Sequence, residues 1–194
     1  YSMKYIERSI TERLRRLAEH FPVIVVTGAR QVGKTTLLKH VFGEQAEYVV
    51  FDPDRDVENA RSDPDLFLEN HSTPLILDEI QYAPEVVSSI KRSVDADRSP
   101  GQFLLTGSQQ WSVLKQISES LSGRAVILQL DGFSLSESSD VHTGDFWLES
   151  YLSDPEKFLT SGRDTFHTPF KLYEHIFRGS LPETRYFPLE VIRD

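Results

Sequence analysis

Residues 22–36 read Pro22-Val-Ile-Val-Val-Thr-Gly-Ala-Arg-Gln-Val-Gly-Lys-Thr-Thr36: the run Val23-Ile24-Val25-Val26 is apolar, uncharged and β-branched, and the glycine-bearing stretch Thr27–Thr36 follows it. The apolar run is short enough for a strand buried on both faces. Gly28 to Thr35 then fits G-x-x-x-x-G-K-[ST] at every fixed position, directly after a strand and directly before a helix. Each fixed residue has a physical reason. The glycines let backbone N–H groups close around phosphates where a Cβ would intrude. The helix beginning near Lys34 adds the positive end of its dipole. Lys34 brings a mobile charge for β- and γ-phosphates, and Thr35 a hydroxyl for magnesium. The cradle comprises Gly28, Ala29, Arg30, Gln31, Val32, Gly33, Lys34, Thr35 and Thr36.

Outward from this loop the chain alternates strands and helices. Upstream, Ser9-Ile-Thr-Glu12 has capping-box spacing, and Ile10, Leu14, Leu17 and Phe21 recur at helical intervals, so a helix is expected to end near His20, stopped by Pro22. Downstream, a helix is expected over 34–42 with Gly43 just past its end, then strands over 47–51, 73–77, 101–105 and 125–130. Helices are expected over 84–94 and 111–121, and a short one near 65–69. Such alternation implies a mainly parallel five-stranded sheet covered on both faces, a three-layer α/β/α fold. The Ser- and Asp-rich stretch 134–145 reads as a linker, with aromatic helical segments beyond it, Phe170, Tyr173, Ile176 and Phe177 preceding Gly179. The expected organisation is a core with its N-terminal helix over 1–135, a linker over 136–145 and a helical, lid-like, incomplete region over 146–194.

Leu75-Ile-Leu-Asp78-Glu79 ends an apolar strand on two carboxylates. Beside a phosphate loop, the first acid is expected to hold Mg2+ together with Thr35, and the second to orient or deprotonate an attacking water. Phe103-Leu-Leu-Thr106-Gly107-Ser108-Gln109 ends another buried strand on polar groups. Thr106 or Ser108 would lie near the γ-phosphate if that strand is a neighbour, with Gln109 and Gln110 as further candidates; Ser108 serves equally well as a helix cap. Arg124, in Leu121-Ser-Gly-Arg124, leads the candidate arginines, with a surface ion pair as its alternative. Arg30 and Arg178 follow it. The expected catalytic set is therefore Lys34, Glu79, Arg124, Thr106 and Ser108, with Thr35 and Asp78 at the metal. The six histidines show no metal-ligand spacing.

Composition narrows the partners. The chain has no cysteine, which removes disulfide frameworks and thiol catalysis and fits a cytoplasmic protein. No apolar run reaches the roughly 18–20 residues of a membrane span. Net charge is −9, unlike a protein that grips a nucleic-acid backbone over its whole surface, yet basic residues outnumber acidic ones before position 40. Tyr1-Ser2 reads as an addition ahead of a native Met3. No N-K-x-D guanine-reading motif occurs, which leaves adenine as the base by exclusion.

The segments VVTGARQVGKTTLL (25–38), LILDEIQ (75–81) and FLLTGSQ (103–109) together resemble prokaryotic AAA+-superfamily P-loop ATPases that pair an ATPase core with a C-terminal domain of unknown function. Leu121 to Arg124, Leu130-Asp-Gly-Phe-Ser-Leu-Ser-Glu137 and Phe177-Arg-Gly-Ser-Leu-Pro-Glu183 resemble later segments of that family, in the same order. The resemblance implies strand order 5-1-4-3-2 and a small helical lid. It also implies the roles argued above for Lys34, Thr35, Asp78 and Glu79, a sensor at Thr106 or Ser108, and a nucleotide-responsive Arg124. Asp131-Gly132 departs from the family, which more often has proline nearby. The last residue, Asp194, falls about where the family's second domain begins, so the resemblance implies a C-terminally truncated chain. The expected function is Mg-dependent ATP binding and hydrolysis, coupled to an unknown protein or nucleic-acid client. The alternatives are a nucleotide-dependent switch with little hydrolysis and a small-molecule kinase. An arginine acting in trans would require a homo-oligomer.

Overall fold

The structure, a computed structural model, describes residues 5–52, 57–108, 111–139, 147–161 and 171–193. Contacts divide the chain into two units, Ile10–Asp131 and Tyr1–Ser9 with Gly132–Asp194.

The first unit is built on five parallel strands: β1 (Val23–Thr27), β2 (Glu47–Val50), β3 (Leu75–Asp78), β4 (Phe103–Gly107) and β5 (Ala125–Gln129). Their order across the sheet is β2-β3-β4-β1-β5, the order the resemblance implies. The central strands β1, β3 and β4 are buried at every residue, as continuous apolar runs require when both faces are covered. Helices α1 (Thr11–Ala18) and α2 (Lys34–Phe42) pack together on one side of the sheet. On the other, α3 (Val57–Ser62), α4 (Pro64–Glu69), α5 (Val86–Ala96) and α6 (Trp111–Ser120) pack in sequence. Side chains alternate between faces along a strand. Val23, Val25, Leu75, Leu77, Phe103 and Leu105 therefore join Val86, Ile90 and Ile117 in one core cluster. Their neighbours Ile24, Ile76 and Leu104, equally buried, turn to the α1–α2 side.

The second unit carries short helices: α7 (Leu135–Ser138), α8 (Trp147–Ser153), α9 (Pro155–Thr160), α10 (Leu172–Arg178) and α11 (Leu189–Arg193). Many of its apolar side chains face outward, among them Leu152, Leu159, Tyr173 and Ile176. Its main buried feature is polar. The Arg8 guanidinium donates to Glu137 Oε1 at 3.3 Å and lies over the Phe133 ring. Ser9 donates to the same oxygen from both its N–H and its hydroxyl, at 2.7 and 2.9 Å.

Here the structure departs from the sequence reading. Ser9 does not cap α1, whose N-cap is Ile10 with no side-chain bond. The distant Glu137 carboxylate takes both Ser9 donors instead. The capping box forms at Ser134 and Glu137, opening α7 inside the stretch read as linker. Gly132 has a local reason to be glycine: an added Cβ would stand 2.6 Å from the Ser180 carbonyl oxygen, which also accepts from Phe133 N–H. Phe170 and residues 140–146 of the expected linker lie outside the described residues.

Candidate functional site

All five strands run the same way, so their carboxyl ends share one edge of the sheet, where ligands of open α/β sheets bind. β1 delivers Gly28 to this edge, β3 delivers Asp78 and Glu79, and β4 delivers Thr106. Gly28 is closed in by the end of β5: an added Cβ would meet the Leu130 carbonyl oxygen at 2.1 Å. Gly33 takes the left-handed conformation, φ 93°, at the N-cap of α2, and no side chain caps that helix. The first N–H groups of α2 are thus left to other acceptors. Ala29, Arg30 and Gln31 are exposed in the loop, Val32 is buried beneath it, and Thr36 is exposed on α2.

Lys34 is buried, and its ammonium donates to the carbonyls of Gly28 and Ala29 at 3.1 and 2.8 Å. Burial pushes its pKa below the ordinary lysine value; the charges of Glu79 and Asp78 oppose that shift, and Arg30 adds to it.

Asp78, only 4% exposed, is the centre of a hydroxyl network. Thr35 Oγ1 lies 2.8 and 2.9 Å from its two oxygens, Tyr48 OH donates to Oδ2 at 2.8 Å, and Thr106 Oγ1 donates to Oδ1. The sheet register assembles this set. Tyr48 pairs with Ile76 and Ile76 with Leu104, so Tyr48, Asp78 and Thr106 fall on the same face, the one that α2 covers. Tyr48 was not singled out from the sequence. Burial raises its phenol pKa well above the ordinary value, as do the hydrogen bond to Asp78 and the charges of Asp78 and Glu79, so it remains a donor.

Glu79 follows in the left-handed region at φ 61°, uncommon for a residue with a side chain and costing about 1–3 kcal/mol. Thr106 Oγ1 accepts from Glu79 N–H at 3.0 Å while donating to Asp78, so one hydroxyl ties both acids. The Glu79 carboxylate accepts from Gln81 Nε2, and Gln81 Oε1 accepts from Ser108 N–H at 3.2 Å. Gln81 is the second residue that sequence reasoning missed. Ser108 Oγ is buried without a hydrogen-bond partner. Gln109 and Gln110 lie outside the described residues.

Arg124 is not brought to this edge within one chain. It immediately precedes Ala125, which pairs with Val23 at the start of β1, so about 13 Å of strand separates it from the phosphate loop. Its guanidinium is ion-paired with Asp95 and also donates to Ser122 O. Of the roles the sequence left open for Arg124, the one within its own chain is excluded by this placement, because the amino end of a parallel strand lies opposite the site; the surface ion pair is present. Arg178, in the second unit, pairs with Glu174 and donates to the carbonyls of Thr184 and Phe187.

The donor set fits magnesium. Asp78 is a nearly buried carboxylate met by hydroxyls, and Thr35 adds a neutral oxygen beside it. Magnesium is commonly held by one or two carboxylates plus substrate phosphates rather than by an all-protein cage. Among the described residues no cluster of three or more His, Cys, Asp or Glu forms a metal cage. No helix among them is long and apolar enough to cross a membrane.

A family model described as an AAA domain matches residues 20–139. Uncharacterized proteins of Mycobacterium bovis and Mycobacterium tuberculosis are each 32% identical over 169 residues, covering 84% of this chain and 38% of their own length. The chain thus spans well under half of the curated relatives it matches. Among solved structures, AMPPCP-bound DnaA from Aquifex aeolicus superposes with a TM-score of 0.54 at 13% identity, covering 95% of this chain and 59% of that one. At that identity the likeness concerns the fold.

Proposed function

The chain belongs to the AAA-domain family whose model matches it, within the AAA+-like P-loop ATPases, and from that membership we propose that it binds ATP with Mg2+ and hydrolyses it. The observation that carries the reading is the convergence of Lys34, Thr35, Asp78, Glu79 and Thr106 at the carboxyl edge of the sheet, linked through Asp78 and Thr106.

In this reading the loop from Gly28 to Thr36 and the uncapped N-terminus of α2 receive the phosphates. Lys34 exchanges the loop carbonyls for the β- and γ-phosphates. Thr35 and Asp78 hold the magnesium ion, which when bound neutralises charge on the phosphate oxygens. Glu79 orients the attacking water and takes its proton. Thr106 couples the positions of the two acids, and Ser108 brings a hydroxyl with no protein partner to the same edge. Arg124, on the opposite edge and partly exposed, serves a neighbouring copy in trans, which makes a homo-oligomer part of the proposal. The whole protein's client, a protein or a nucleic acid, is of unknown identity.

One observation favours the alternative of a nucleotide-dependent switch with little hydrolysis: the Glu79 carboxylate is engaged by Gln81 rather than free. Phosphate release measured against protein concentration, for the wild type and Glu79→Gln, separates the two. Hydrolysis predicts turnover that climbs with concentration and falls about 10²–10⁴-fold in the variant while ATP binding persists. A slow wild-type rate that the substitution leaves unchanged would support the switch.

A further inference from the structure

We propose that Tyr48 is a positioning residue for the magnesium-side carboxylate and that Lys39 holds it in place, an inference that rests on the reading of Asp78 as a magnesium-binding acid. Tyr48 stands on the edge strand β2, two residues before its carboxyl end and level with Ile76, and its hydroxyl reaches along and across to Asp78 Oδ2 at 2.8 Å. The Lys39 ammonium lies 3.4 Å from the centroid of the Tyr48 ring. Lys39 is four residues beyond Thr35 on α2, hence on the same helix face one turn along. One helix therefore supplies both the Thr35 hydroxyl and the cation that pins the tyrosine ring.

The three hydroxyls around Asp78 have different obligations. Thr35 must turn its oxygen toward the metal when the site is loaded. Thr106 is shared with the backbone of Glu79. Among the described residues Tyr48 has no such second duty: its hydroxyl bonds to Asp78. A phenylalanine would fill the ring's place equally well, so the hydroxyl calls for a separate account. It supplies one, as the fixed donor that sets the plane of the carboxylate while its other partners rearrange. A charge-assisted bond of this kind is about twice as strong as a neutral one.

The test is calorimetry of a non-hydrolysable ATP analogue titrated into the wild type, Tyr48→Phe, Lys39→Ala and Lys39→Arg, each over a series of Mg2+ concentrations and with the metal chelated. Tyr48→Phe is expected to raise the Mg2+ midpoint about tenfold while metal-free affinity stays within about twofold. Lys39→Ala, at an exposed position, is expected to raise the midpoint about threefold, and Lys39→Arg to restore it, because a guanidinium can also stack on the ring. An unchanged midpoint in Tyr48→Phe, or equal losses with and without metal, would overturn the positioning role while leaving the ATPase reading intact. Analogue binding in the wild type that ignores Mg2+ would remove the assignment of Asp78, and this inference with it.

Discussion

Leu104 and Leu105, at the middle of the sheet unit, are fully buried, whereas Tyr173 and Ile176 in the second unit are 84% and 65% exposed. The two regions keep their structure by different means. In the sheet unit, both faces of β1, β3 and β4 are covered and polar groups gather at the carboxyl edge. In the second unit, short helices leave apolar side chains outward, and the segments 5–9 and 132–139 are joined by a charged hub at Glu137. The contrast separates a region whose order comes from hydrophobic burial, which changes little with pH, from one whose order depends on a carboxylate staying ionised.

That contrast can be broken at the hub. Burial disfavours the charged form of Glu137, yet the N–H groups of Ser134 and Ser9, the Arg8 charge and the Ser9 hydroxyl outweigh it, holding its pKa below the ordinary glutamate value. A depressed carboxyl pKa contributes stability that is fully present above the unfolded-state value, about 4.3, and is lost as pH falls through the folded-state value. Glu137→Gln is expected to cost about 1–3 kcal/mol at neutral pH by removing the negative charge that the Ser9 and Ser134 N–H groups and the Arg8 guanidinium meet. It should also flatten the loss of protection expected of the wild type as pH falls below about 4.3. Hydrogen exchange at 133–139, followed against pH, reads both effects; protection that is equal in the two proteins would show that the hub does not hold this unit.

The smallest effect sharpens the same comparison. Tyr173→Ser, at an exposed side chain, is expected to change the unfolding midpoint by less than about 0.5 kcal/mol equivalent. A larger loss in a denaturant titration would mean that the outward apolar residues contribute burial after all.

The sequence made the sheet unit legible because its signals are local. Helix α2 was expected over 34–42 and spans Lys34–Phe42, since a fixed glycine precedes it and Gly43 follows. Asp78 and Thr106 could be picked out because each ends an apolar run. Tyr48 and Gln81 could not. Tyr48 meets Asp78 through the pairing of β2 with β3, and no local pattern states that register. Gln81 meets Glu79 through a left-handed residue and the 3-10 turn Ile80–Tyr82, which has no glycine to announce it. Ser9 shows the opposite failure: its spacing to Glu12 satisfied a local rule, and a carboxylate 128 residues away won the donors. Arg124 was legible as a candidate but not its place: it precedes the start of β5, away from the phosphate loop of its own chain, and pairs with Asp95.

The central claim is that the backbone turn from Gly28 to Thr35 receives a triphosphate with Lys34 as its mobile cation. Titration calorimetry with Mg2+ and a non-hydrolysable ATP analogue tests it most directly. The account predicts saturable one-site binding to the wild type, weakened at least about tenfold in Lys34→Ala. Equal affinity in the two proteins, or no binding to the wild type, would contradict it.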